Sequence, residues 1–252
     1  MAGNIELRTK HQFAGLVERR DRLNVLKDDP ATQGRFAQLI GPKWARDNCA
    51  LDEIAETAQW LQETLDEKRI LQLNRHIGAA QWLFDCSRTQ ACLSCADLLE
   101  LHRRLMEDVH PRAGRFRESE ISSLGEGHEP IEAELVPYVV ENALEWFNSD
   151  SFHEMHEVEK TALVLMKMID IFPFEEANGR TLRLFSSFFL LKTGYPPAII
   201  PSTRASHYAA AIQNSLSFRT QPLIDLLTEA VLQGLQFCLA EPASPPQLQI
   251  LR

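Results

Sequence analysis

Phe172-Pro173-Phe174-Glu175-Glu176-Ala177-Asn178-Gly179-Arg180-Thr181-Leu182-Arg183 is a largely polar stretch joining two segments, 162–171 and 182–191, that are apolar on almost every side. Helices apolar all round belong at the centre of a bundle rather than on its surface, so this stretch is a polar connection held inside a core. If the second helix starts near Asn178, its first unpaired amides and its dipole face the loop and favour an anion such as a phosphate. Gly179 permits close backbone approach to that anion. Arg180 and Arg183 are three apart and project to one side of a helix, where they could clamp a polyphosphate. Glu176 supplies a carboxylate for a magnesium ion bridging phosphate oxygens, since that ion prefers one or two carboxylates plus ligand phosphates. A plainer reading fits the same spacing: a helix start with two surface arginines paired to Glu175 and Glu176.

Outward from the loop the periodicity is helical, with no strand-like alternation longer than a few residues. Leu51, Ile54, Ala58, Leu61 and Leu65 form one amphipathic stripe, and Leu98, Leu101, Leu105 and Val109 another. Ser94 followed by Asp97 is an N-cap pattern for the second. Leu135, Val139, Ala143 and Trp146 mark a further helix, with Pro137 in its first turn and Asn148, Ser149 and Asp150 ending it. Gly194 with Pro196 and Pro197 is a firm stop, and helices follow near 204–216 and 222–240. The first 45 residues read as helices around Phe13, Leu16, Leu23 and Phe36. The expected division is 1–96 as an N-terminal helical region packed on the core, 97–216 as the core itself, 217–240 as a C-terminal helix and 241–252 as a flexible tail.

The chain has 252 residues, 44% of them hydrophobic, enough for one sizeable core. A net charge of −9 argues against general affinity for nucleic acid or anionic membrane. No run approaches the about 18 apolar residues of a membrane span, and Met1 to Lys10 is too polar for a signal peptide, so a cytoplasmic protein is expected, delivery to a host cell remaining compatible. Five cysteines suit a disulfide framework poorly, and the lone Cys92-x-x-Cys95 reads as buried reduced thiols. His153-Glu154-Met155-His156 lacks zinc-protease spacing and reads as a capped, solvated helix start. Trp44, Trp60, Trp82 and Trp146 read as core or interface anchors.

The loop resembles the signature of the Fic/Doc (Fido) family, H-x-F-x-(D/E)-(G/A)-N-G-(R/K)-x-x-R, at every specified position except the first, where Phe172 stands for histidine. His102 to Arg117 is similar to the family's helix and turn before its flap, and Gly194 to Pro197 with Arg204 to Ala211 to its next helix, so the resemblance runs over 97–216. It implies an all-α, Fic-fold helical bundle with a short flap before the core helices that could pair as a β-hairpin. The implied reaction is transfer of AMP from ATP to a hydroxyl on a target protein. By position Glu176 would hold Mg2+, Asn178 and the amides after it, starting at Gly179, would grip the α-phosphate region, and Arg180 and Arg183 would hold the outer phosphates of ATP. Phe174 would anchor the loop, and a target or partner protein would meet the flap, 118–130, where Gly125 and Gly127 suit an extended turn.

The family's histidine takes the proton of the attacking hydroxyl, and Phe172 has no lone pair for it, which costs on the order of 10² to 10⁴ in rate unless His128 or His207 substitutes. Three readings follow: a nucleotide-binding protein impaired in transfer, an active transferase with a displaced base, or a helical interaction module. Many members of the family carry an inhibitory helix, (S/T)-x-x-x-E-(G/N), whose glutamate pairs with the second arginine. Only Ser122 to Gly127 fits those letters, inside the flap, so no inhibitory helix is expected.

Overall fold

The computed structural model describes residues 2–52, 67–124 and 128–240, with side chains from Phe13 onward. The helix expected beyond Asp52 and through Trp60, the flap glycines Gly125 and Gly127, and the tail 241–252 lie outside the described residues. Among those described there is no strand, as expected of an all-α chain.

Ala2–Val25 (α1) and Pro30–Gln38 (α2) lead into a π-helical turn, Leu39–Lys43, where Pro42 lies within the turn and Gly41 leaves helical geometry (φ −87°, ψ −111°). That bend launches Trp44–Asp52 (α3). Next come Glu67–Thr89 (α4) and Cys95–Met106 (α5), the latter started by the expected cap: Asp97 N–H donates to the Ser94 hydroxyl, and Ser94 N–H donates to the Asp97 carboxylate. After the flap come Val136–Phe147 (α6) and the short Asp150–His153 (α7). Then the two core helices follow, Glu157–Ile171 (α8) and Asn178–Ser186 (α9).

The apolar run expected over 182–191 is two helices. Ser187 interrupts it, its hydroxyl bonding back to the Arg183 carbonyl at 2.9 Å, and Phe188–Lys192 (α10) restarts beyond. Ala205–Leu216 (α11) and Gln221–Leu239 (α12) close the fold. Gly194 takes the left-handed conformation (φ 85°) expected of a helix stop.

α8 is central and packs against α6, α9, α10, α11 and α12. Val158, Ala162, Val164, Leu165, Met168 and Ile171 are buried around it, so no single face explains its sequence. α12 is long and apolar enough, by length and composition, to cross a membrane, though it is no unbroken apolar run. Half of it is buried, against α1, α2, α8 and α11, as in a core helix.

His156 is the N-cap of α8, but it is packed rather than solvated: Phe13 of α1 stacks on its ring at 3.9 Å. Burial lowers its pKa to about 4. Cys92 is exposed and Cys95 half-buried, which corrects the expectation of buried thiols there; Cys49, Cys86 and Cys238 are buried. Trp44 is a core residue, whereas Trp146 is 41% exposed.

Candidate functional site

The loop from Phe172 to Ala177 is framed by two non-glycine residues in left-handed geometry, Phe172 (φ 50°) and Ala177 (φ 56°). Such conformations cost about 1–3 kcal/mol each and persist where their surroundings hold them. Here Phe174 is fully buried, stacked on His102 with ring centroids 3.8 Å apart. Asn178 closes the loop as a ring: its Oδ1 accepts from Phe174 N–H at 2.9 Å and its Nδ2 donates to the Phe174 carbonyl at 2.7 Å. The Asn178 side chain is thus spent on loop shape.

Arg117, whose side chain has no exposed surface, holds the other side. Its backbone N–H donates to the Pro173 carbonyl at 2.9 Å and its Nε to the Phe172 carbonyl at 2.8 Å. Its remaining nitrogens bond the carbonyls of Ser119 and Ile131, on the two arms of the flap.

Among the described residues the flap arms are joined through side chains, Ser123 Oγ donating to the His128 carbonyl at 2.8 Å and Ala133 N–H to the Glu120 carboxylate at 2.9 Å, and no hairpin ladder forms. His128 adds a second tie, donating from Nε2 to the Asp170 carbonyl (3.0 Å) while its Nδ1 accepts from Leu124 N–H (3.0 Å). Both ring nitrogens are committed, so His128 has no lone pair to offer a target hydroxyl in this arrangement. His207 is exposed on α11, beside a groove of about 400 Å³ shared with α12.

At the start of α9 an anion is already seated, and it belongs to the chain. The Asp52 carboxylate, at the end of α3, accepts from Arg180 N–H at 3.3 Å and Arg180 Nε at 2.8 Å, and from Arg183 Nη2 at 2.6 Å. A Cβ placed on Gly179 would collide with Asp52 Oδ1, so the glycine admits this carboxylate.

Four residues earlier on α3, Asn48 accepts from Arg183 Nε through its side chain and from Nη2 through its carbonyl, the latter at 2.8 Å. Asn48 Nδ2 also donates to His76 Nε2 at 2.7 Å. Arg183 is 6% exposed and lies over the Tyr208 ring. Burial works against its charge; Asp52 and Tyr208 outweigh that effect and raise its pKa.

The surface pairing of Arg180 and Arg183 with Glu175 and Glu176 is therefore not what forms. Glu175 pairs with Arg112 at 3.3 Å. Asn48-Cys49-Ala50-Leu51-Asp52 does not carry the letters of the family's inhibitory pattern, yet it places a polar side chain and a carboxylate four residues apart on α3, both bonded to Arg183. A search for hydrogen-bonding and acidic side chains at i and i+4 would have found it.

Glu176 stands apart, its side chain 60% exposed, with His110 Nε2 at 3.9 Å from its Oε1. Among the described residues no group of three or more His, Cys, Asp and Glu could hold a metal by itself. One open carboxylate, two residues before the start of α9, fits Mg2+, which completes its shell with ligand phosphates and water.

A family profile described as Fic/DOC matches residues 92–190. Residues 92–190 are a Fic/DOC-family domain. The protein adenylyltransferase Fic of Drosophila mojavensis is 27% identical over 255 residues, covering 96% of this chain and 50% of that one. That of Drosophila erecta is 31% identical over 200 residues, covering 77% and 40%. The chain thus spans about half the length of the curated relatives it matches. Fic-1 of Caenorhabditis elegans superposes with a TM-score of 0.78 at 19% identity, covering 94% of this chain and 74% of that one, which establishes the Fic fold beyond the profile's limits. In this Fic domain the candidate site is built from the 172–183 loop, the flap arms tied to it through Arg117 and α3 tied to it through Asp52.

Proposed function

We propose that this Fic-fold chain binds a magnesium nucleoside triphosphate at the 172–183 loop, that α3 occludes the site, and that Phe172 impairs AMP transfer. The observation that carries the reading is the seat of Asp52: a carboxylate held by a helix N-terminal amide and two arginines stands where an outer phosphate would sit. Arg180 and Arg183 would hold the phosphates once Asp52 leaves, and Glu176 would hold the metal, whose charge would offset that of the phosphates.

In the family's reaction the target oxygen bonds to the α-phosphorus, the bond to the bridging oxygen breaks, and pyrophosphate departs. The hydroxyl proton needs an acceptor on the protein. Phe172 supplies none, and both nitrogens of His128 are engaged. The described flap arms, tied to the loop through Arg117, are the expected place for a target segment.

A second reading has its own support. Asp52 bonds both arginines and Asn48 bonds Arg183, as they would if α3 and α9 were simply a structural joint in an interaction module. Calorimetric titration with ATP and Mg2+ separates the two readings, using Asp52→Ala and the double variant Asp52→Ala/Arg180→Ala. The nucleotide reading predicts saturable binding by the first and at least tenfold weaker binding by the second. No binding by either leaves the structural joint.

A further inference from the structure

Glu176 is approached by two histidines from one short segment, and both rings are set the same way. The Nδ1 of His102, on α5, accepts from Gly114 N–H at 3.0 Å. The Nδ1 of His110, in the turn beyond, accepts from Arg112 N–H at 3.3 Å. An amide donating into Nδ1 leaves the proton of a neutral ring on Nε2. Each ring therefore presents an N–H toward Glu176, His102 to its backbone carbonyl at 3.3 Å and His110 to its carboxylate at 3.9 Å.

His102 has no freedom to do otherwise. It is 1% exposed and flat against Phe174. Gly114, whose amide fixes the ring, holds a left-handed φ of 75° where a Cβ would lie 2.8 Å from the Arg103 Cβ. A turn only glycine fits well thus sets an imidazole, and the imidazole sets the carbonyl of the residue whose side chain faces the metal's place.

Resting on the nucleotide reading, we propose that His102 is a positioning residue for the divalent cation, holding the Glu176 backbone so that its carboxylate meets the metal, with His110 steering that carboxylate. Partners of this kind behind a metal ligand typically change metal affinity by about 10- to 100-fold when removed.

The test uses Asp52→Ala as parent and reads the gain in ATP affinity on adding Mg2+ in place of EDTA, together with the melting temperature. His102→Asn keeps an acceptor for Gly114 N–H but reaches no donor to Glu176. His102→Gln places an amide N–H near the former Nε2. The gain should fall about tenfold in the Asn variant and return in the Gln variant, at similar melting temperatures. His110→Ala, a partly exposed site that does not threaten folding, should lose part of the gain.

An unchanged gain in His102→Asn, or the same loss in Gln as in Asn, overturns the assignment. If His102→Asn fails to fold, an unchanged gain in His110→Ala overturns it instead. A parent that binds ATP neither with nor without Mg2+ sinks the nucleotide reading and this inference together. A parent that binds while the gain stays fixed in the variants sinks this inference alone.

Discussion

Removing the Asp52 carboxylate should make the protein less stable and a better nucleotide binder at once. On the proposed reading, a triphosphate must first displace a carboxylate held by Arg180 at 2.8 Å and Arg183 at 2.6 Å. Trading those charge-assisted contacts for water around Asp52 costs about 2–3 kcal/mol, on the scale of single hydrogen bonds to charged groups. Apparent affinity scales with the fraction of molecules whose site is open, so Asp52→Ala should tighten Mg–ATP binding by about 30- to 150-fold.

The same change strips a buried guanidinium of its carboxylate, which in a buried pair costs about 3–5 kcal/mol. Asn48 and Tyr208 still bond Arg183, so a loss of about 2–3 kcal/mol is expected. Calorimetry gives the affinity, and thermal melts across an ATP series give both quantities, because ligand stabilises by RT ln(1 + [L]/Kd). Asp52→Asn, neutral but nearly isosteric, should fall between native and alanine. Native affinity in both variants would refute the reasoning, since the carboxylate would then not compete for the site.

Other consequences are local or depend on pH. Asn178→Ala removes both bonds that close the loop on buried Phe174 and should cost about 2–3 kcal/mol in urea unfolding; native stability would contradict the ring of contacts. Burial lowers the pKa of His76 to about 3 and of His102 and His156 to about 4. These groups are neutral when folded but titrate near 6.5 when unfolded, so the unfolded chain binds more protons below that pH. Their contribution is complete above pH about 6.5 and is lost toward pH about 4, each group adding up to about 1.4 kcal/mol per pH unit. Urea midpoints at pH 7.5, 6 and 5 should drop steeply over the last interval, and a flat profile would refute the assignment.

Much of the loop was legible because it depends on local sequence. Polar residues between two all-round apolar segments could only be a connection inside the core, and Asn178-Gly179 marked the start of α9. The capping box at Ser94 and the stop at Gly194 were readable for the same reason. What escaped was long-range. Asp52 meets Arg183 across 131 positions, and nothing near either residue announces the other. His102 read as part of a helix and of the segment resembling the family's approach to its flap, with no role of its own, since its contacts come from Gly114 and Glu176. The break at Ser187 was hidden by the apolar residues flanking the Ser186-Ser187 pair, because a serine hydroxyl bonding back to the preceding turn leaves hydropathy unchanged.

The central claim is that the scaffold for AMP transfer is present and its proton acceptor is missing. Phe172 sits at φ 50° and ψ 66°, a region that histidine enters more readily than phenylalanine, so Phe172→His should be accepted by the backbone. Transfer of label from α-labelled ATP, to the chain itself and to proteins of an extract, should be compared between Asp52→Ala and Asp52→Ala/Phe172→His. The account predicts labelling by the double variant at least about 100-fold faster than by the single one. Equal labelling by both would contradict it, because the chain would then be moving the proton without a base at position 172.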